Sequence, residues 1–340
     1  MKLRRHKLWS LENHGVTQGA MNTFLQCPRK AHYALRMGLR SRRGSSQALD
    51  YGNLVHDLLG DLTLELNSPA ANGLSRLEVE TAVQVYTEQW LLHQLDGTES
   101  SQELHDLEEI CAWAEATLPE YFFYWEKNMG PLEWESSEEE FAVKTEYWKK
   151  PTMIRGKFDG TYRSHGSLWL MEHKTRSRIS PEEVAESLPF DVQVCLYAWA
   201  LQLLAVESVK GVLYNLIRRP SKRPHKKENL ADYRTRLTED VKERSDFYFM
   251  RFEMALIPTD LRGWVEEFEE MVNNLRVWES GDYNYRNPNG CTFCPYRGLC
   301  AGSAKISDYR IEPRVFPELD LDPFDILNRR SIDAGKQDPA

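Results

Sequence analysis

Gly156-Lys157-Phe158-Asp159-Gly160-Thr161-Tyr162-Arg163-Ser164-His165-Gly166-Ser167-Leu168-Trp169-Leu170-Met171-Glu172-His173-Lys174 is the stretch that decides the fold. Met153 to Arg163 and Ser167 to Lys174 alternate apolar and polar residues and flank a turn-forming Ser-His-Gly-Ser, so they read as two strands of a hairpin. A two-residue His165-Gly166 turn pairs Ser164 with Ser167, and counting back in register sets Asp159 opposite Glu172. Cross-strand partners point to one face, and residues two apart on a strand share a face. Asp159, Glu172 and Lys174 therefore converge from local geometry alone.

Two carboxylates so close repel each other unless a cation lies between them. Oxygen ligands select a hard ion such as Mg²⁺ or Mn²⁺. The lysine adds a positive charge that can position a water or stabilise a phosphorane-like transition state. This equipment suits metal-assisted phosphodiester hydrolysis. The same residues also fit an ordinary Glu/Lys solvent face beside an unrelated aspartate.

Outward from the hairpin, Glu138 to Tyr147, Lys210 to Ile217 and Phe247 to Leu256 have strand character. Pro189 to Ala205 and Leu261 to Trp278 read as helices. Before residue 130 the chain is mostly helical: Thr17 to Leu39 with a break at Cys27-Pro28, then Leu49 to Leu66, Glu78 to Leu95 and Gln102 to Tyr124. The fold class is thus α/β (α+β). We divide the chain into a helical region (1–130), a core (131–280), a cysteine segment (281–305) and an extended or disordered tail (306–340).

The cysteines are the second signal. Cys291, Cys294 and Cys300 form a C-x2-C-x5-C segment, and Cys27 lies near the other end of the chain. Four thiolates suit a tetrahedral metal or an iron–sulfur cluster. Cys111 and Cys195 sit on apolar helical faces and read as buried structural thiols.

Composition sets the frame. The 340 residues are 41% hydrophobic and 28% charged, as in a soluble globular protein. There is no apolar run of membrane-spanning length. The basic N-terminus has no apolar stretch behind it, so a secretory signal is not expected, and a reducing, cytoplasmic location is. A net charge of −9 argues against broad coating of DNA but leaves room for a local basic groove. Candidates are residues 1–7, Arg40 to Arg43 and Arg218 to Lys227, the last being the best placed because it follows a core strand. No G-x-x-x-x-G-K-[ST] motor motif is present.

With these motifs in order, the sequence resembles the PD-(D/E)XK nucleases, and within them the RecB-like branch that carries an iron–sulfur cluster. That branch includes the CRISPR-associated RecB-like exonucleases, the AddB nuclease domain and standalone phage and bacterial proteins. The resemblance runs from about Phe24 to Cys300. It implies a central mixed sheet flanked by helices, with the cysteine segment closing onto the helical region. It implies Cys27, Cys291, Cys294 and Cys300 as ligands of a [4Fe–4S] cluster, with zinc as the alternative. Zinc sites draw on two local cysteine pairs, whereas one cysteine here is remote. His56 of Gly52-x-x-x-His56, Asp159, Glu172 and the backbone carbonyl of His173 would hold Mg²⁺ or Mn²⁺, and Lys174 would be the catalytic lysine. The His173 ring should project to the opposite face. Gln193 and Tyr197 match a Q-x-x-x-Y motif able to reach the site or the DNA backbone, though they could equally satisfy each other at the core edge.

Of Glu138, Glu139 and Glu140, where relatives often carry an accessory acid, the expectation is a solvated strand start. The implied activity is a DNA exonuclease using metal-activated water on ends or single strands in recombination, repair or CRISPR and phage DNA processing. A separate helicase, annealing protein or integrase would be its partner. The alternative is an inactive, cluster-stapled DNA-binding adaptor.

Overall fold

The hairpin forms in the predicted register, from Ser164↔Ser167 to Gly160↔Met171. His165 (φ 48°) and Gly166 (φ 76°) both occupy the left-handed region, the combination whose twist matches a right-twisted strand pair. The computed structural model describes residues 8–312 except 42–45, 67–72, 96–99, 147 and 282–283.

The N-terminal half contributes α1 (Leu11–His14), α2 (Gln18–Gln26), α3 (Pro28–Ala31), a π-helical turn (His32–Arg36), β1 (Leu39–Ser41), α4 (Gln47–Leu66), α5 (Arg76–Leu95) and α6 (Ser101–Met129). The middle contributes β2 (Glu133–Lys144), β3 (Met153–Ser164), β4 (Ser167–Arg176), α7 (Pro181–Ser187), α8 (Val192–Leu204) and β5 (Val209–Arg218). Then come α9 (Leu230–Glu243), α10 (Ser245–Tyr248), β6 (Phe249–Ala255), α11 (Pro258–Ser280), α12 (Arg297–Ala301) and β7 (Tyr309–Ile311). Five strands form one mixed sheet in the order β2-β3-β4-β5-β6, antiparallel except for the β4–β5 pair, which is parallel and bridged through α8.

Strand alternation assigns the two faces. Leu168, Leu170, Val212, Tyr214 and Leu216 pack into one core with Met21, Leu196, Leu201, Phe268 and Val272 from α2, α8 and α11. On the reverse face Ile217 joins a second core with Tyr51, Leu58, Trp113, Tyr121 and Leu237 from α4, α6 and α9. β5 is covered on both sides, as befits the parallel part of a sheet. Truncating Leu216 to alanine would cost about 2–5 kcal/mol.

Three elements differ from the sequence expectations. α9 was not anticipated, because only Tyr233, Leu237 and Val241 of its mostly polar sequence are buried apolar residues. The helix expected from Pro189 begins at Val192, after α7 and a 3₁₀ turn over Leu188–Phe190, since Asp191 caps it with bonds from the Gln193 and Val194 amides. The expected tail from residue 306 is not all tail: Tyr309–Ile311 pairs with Leu39–Ser41 as a small second sheet. Residues 313–340 lie outside those described. The break at Cys27-Pro28 is present, with Cys27 ending α2 and proline opening α3, where its missing N–H costs nothing.

No described helix is long and apolar enough to cross a membrane.

Candidate active site

β3 and β4 part where Asp159 and Glu172 would meet. There the Asp159 carboxylate takes over from the strand ladder, its Oδ2 accepting the His173 backbone N–H at 2.7 Å. Glu172 is completely buried, and its Oε1 accepts from Lys174 Nζ, which also donates to Gln193 Oε1 at 3.1 Å. The second carboxylate oxygen of Glu172 is buried without a hydrogen-bond partner. Such an orphan acceptor is costly in a protein interior and marks where a cation fits.

α4 crosses this end of the sheet and delivers His56, whose Nδ1 lies 3.3 Å from Asp159 Oδ1 and 3.8 Å from Glu138 Oε1. The helix comes this close because of its glycines. Gly52, His56 and Gly60 are spaced by four and so lie on one helix face. A Cβ on Gly52 would meet Thr175 Oγ1 of β4 at 3.2 Å, and one on Gly60 would meet Glu138 Cγ of β2 at 2.4 Å.

Glu138 is the residue that sequence reasoning passed over, and the expectation of a solvated strand start is corrected for it. Ser137↔Gly160 and Glu139↔Phe158 pair across β2 and β3, so Glu138 falls opposite Asp159. Its backbone is left-handed (φ 50°), a conformation that costs a non-glycine residue about 1–3 kcal/mol. Its carboxylate faces both His56 and the Lys157 ammonium. His56, Glu138 and Asp159 each offer a ligand atom within 4.8 Å of the others, a set able to hold a metal ion. Register counting from the hairpin would have found Glu138, once β2 was aligned.

Charge tuning follows from this crowding. Burial would depress the His56 pKa, but the Asp159 and Glu138 carboxylates outweigh it and raise it to about 10. Glu172 is raised, by burial first and Asp159 second. Asp159 is lowered despite its burial, because His56 faces it. Burial lowers His173 to about 3. Its ring points to the reverse face, as expected, where Nδ1 lies 2.9 Å from Asn215 Nδ2.

The Q-x-x-x-Y pair splits. Gln193 reaches Lys174, whereas Tyr197 is buried, edge-on to Phe141 and Phe158. Of the basic segments, residues 1–7 and 42–45 lie outside those described. The best-placed one needs correcting at its first residue. Arg218 is buried, donating to the Phe247, Ser177 and Ile179 carbonyls with its guanidinium over the Phe247 ring. Arg223, Lys226 and Lys227 are exposed.

The four cysteines, all free thiols, line one cavity of about 170 Å³ together with Lys30, Tyr33, Arg286, Tyr296 and Arg297. Two ends of the chain are stitched together around it. Asn287 N–H faces Cys27 Sγ at 3.4 Å, its amide donates to the Gln26 carbonyl at 2.9 Å, and Arg29 Nε donates to the Asn284 carbonyl at 2.7 Å. Tyr296 OH donates to the Leu39 carbonyl at 2.7 Å. Gly290 approaches so closely that a Cβ would sit 2.9 Å from the Gln26 carbonyl oxygen.

A histidine, buried carboxylates and a lysine at the parting edge of a mixed sheet are the equipment of a divalent-cation-dependent nuclease. The chain belongs to the PD-(D/E)XK nuclease superfamily, whose family model matches residues 16–301. Among solved structures, the crystal structure of SSO0001 is similar at 13% identity over 64% of this chain and 95% of that chain, with a TM-score of 0.29. Among curated proteins nothing matches.

Proposed function

We propose that the protein is a Mg²⁺- or Mn²⁺-dependent DNA exonuclease whose cysteine cavity holds a [4Fe–4S] cluster. The observation that carries the catalytic part is a pair of contacts, His56 with Asp159 and Lys174 with Glu172, joined where the His173 N–H donates to Asp159, with one Glu172 oxygen left buried and unpartnered.

His56, Asp159, Glu172 and the His173 carbonyl would hold the cation, and Glu138 adds a carboxylate to the same set. When bound, the cation supplies Lewis-acid charge at the phosphate and acidifies an attacking water. Lys174, held between Glu172 and Gln193, places its ammonium where that water or the developing phosphorane charge would lie. Asp159 is fixed through Oδ2, leaving Oδ1 for the cation. Glu138 and Lys157 close the β2 side of the site.

A cluster is favoured over zinc because Cys27 is remote in sequence from the other three cysteines, whereas zinc sites draw on two local pairs. The lining by Lys30, Arg286 and Arg297 and the amide facing Cys27 Sγ suit an anionic group in the cavity. Substrates would be DNA ends or single strands, with a separate helicase, annealing protein or integrase as partner in recombination, repair or CRISPR and phage DNA processing.

The test is digestion of end-labelled linear DNA beside a closed circle with Mn²⁺, using anaerobically purified wild type and Lys174→Ala. Loss of the linear DNA alone, by wild type alone, is the expected result. DNA binding by both proteins with digestion by neither would instead make the protein a cluster-stapled adaptor.

A further inference from the structure

Behind the catalytic edge, three polar side chains on three adjacent strands form a row, buried at His173 and Asn215 and half-buried at Arg251. His173, Asn215 and Arg251 are register partners across β4, β5 and β6. Asn215 is completely buried and His173 nearly so. Arg251 Nε donates to Asn215 Oδ1 at 3.1 Å. A guanidinium has no acceptor, so that bond fixes which end of the amide is oxygen. The NH₂ end then faces His173 Nδ1 at 2.9 Å, and Nδ1 must accept, leaving the imidazole proton on Nε2. Arg251 is itself anchored to α6, with Nη2 donating to Tyr121 OH at 2.9 Å and the guanidinium 4.1 Å above the Trp125 ring.

Well-packed apolar residues would fill the buried part of this row without the desolvation that His173 and Asn215 incur. What the row reaches explains its presence. The His173 peptide N–H is the group that orients Asp159, and the His173 ring stands edge-on to the His56 ring at 6.2 Å. We propose that Asn215 and Arg251 are positioning residues for the cation site, acting through His173: the row locks one tautomer and one orientation of the ring and so holds the peptide on which the Asp159 carboxylate is aimed. This rests on the cation-site assignment proposed above.

The test is Mn²⁺ affinity by calorimetry on the full chain, with no nucleic acid present, for wild type, Asn215→Leu, His173→Leu and the double variant. Asn215→Leu is expected to weaken Mn²⁺ binding by about 10–100-fold. His173→Leu should lose a similar amount, and the double variant little more, because both changes interrupt one path. Losses that add, or an unchanged affinity in Asn215→Leu, overturn the proposal. A wild type that binds no Mn²⁺ overturns the cation-site assignment and this inference with it. Should Asn215→Leu fail to fold, Asn215→Asp keeps the acceptor for Arg251 and removes the donor to His173. ¹⁵N NMR of its imidazole should then show the proton moved to Nδ1, and an unmoved proton overturns the proposal.

Discussion

The catalytic hairpin and the cysteine cavity solve opposite assembly problems. Asp159, Glu172 and Lys174 lie on the two strands of one hairpin, whose register runs from Ser164↔Ser167 to Gly160↔Met171 and stops one pair short of Asp159 and Glu172. Cys27 and the Cys291–Cys300 segment are far apart in the sequence and line one cavity only through tertiary packing. A local site can be damaged without unfolding anything. A site built from both ends is also a clasp, so losing it should register in stability before it registers in chemistry. That contrast is open to direct attack from either side.

Lys174→Ala carries the largest expected effect. Removing the ammonium takes away charge positioned at the reacting phosphate, so Mn²⁺-dependent DNA digestion should fall by about 10³-fold. With Mn²⁺ present to satisfy the buried Glu172 carboxylate, the melting temperature should stay within a few degrees, since Lys174 itself is partly exposed. Circular-dichroism melting beside the digestion assay checks both. A large loss of stability would erase the contrast. Cys27→Ser should behave in the reverse order. Wild type purified without oxygen should contain about four irons per chain and absorb broadly in the visible, and the variant should lose both. Opening a loop that closes most of the chain should cost about 5 kcal/mol, or about 10 °C in melting temperature. One zinc per wild-type chain would keep the clasp but replace the cluster.

The same contrast explains what could be read from the sequence. His165-Gly166 fixes the β3–β4 register without help from the rest of the chain, so the pairing as far as Gly160↔Met171 was legible in advance, whereas the parting of the strands at Asp159 and Glu172 was not. Glu138 could not be placed either, because three consecutive glutamates have no phase until β2 is aligned on β3, and its left-handed backbone breaks the alternation that a strand pattern assumes. α9 was illegible because its buried residues, Tyr233, Leu237 and Val241, recur only once per turn in a charged background. Arg218 illustrates the converse. It opens a basic run that resembles a solvated loop, yet three carbonyls and the Phe247 ring bury it. Gly60 carried no motif at all, and its meaning appears only once Glu138 is seen beside it.

Gly60→Ala sharpens the comparison at intermediate size. The added Cβ would lie 2.4 Å from Glu138 Cγ, so the Glu138 side chain must leave its present place beside His56. Alanine meanwhile favours the helix by about 1 kcal/mol, offsetting the strain. Mn²⁺ affinity should fall about tenfold at nearly unchanged stability, by calorimetry and denaturant unfolding respectively. Unchanged affinity would remove Glu138 from the cation set.

The smallest effect separates the two sites by pH. Metal ligands must shed their protons before binding. Glu172 is held protonated upward of its usual range by burial and Asp159, and His56, against its burial, by Asp159 and Glu138. The sign for the metal-free protein follows from linkage. Because His56 is raised, its ion pair stabilises the fold fully below the unfolded histidine value of about 6.5, and that contribution is lost as pH rises through about 10. Mn²⁺ competes with the same protons, so its apparent affinity should rise by about 10-fold per pH unit between pH 6 and 8 for each proton displaced, and by at most about 100-fold where Glu172 and His56 each give one up. Calorimetry in two buffers of different ionisation heat would count the protons released. Iron content of the cysteine site, measured on the same samples, should not change across that range, because its ligands are already committed thiolates once the cluster is in place. Equal pH dependence at both sites would mean that the hairpin's crowded carboxylates do not set its affinity, and the two sites would differ only in where their ligands come from.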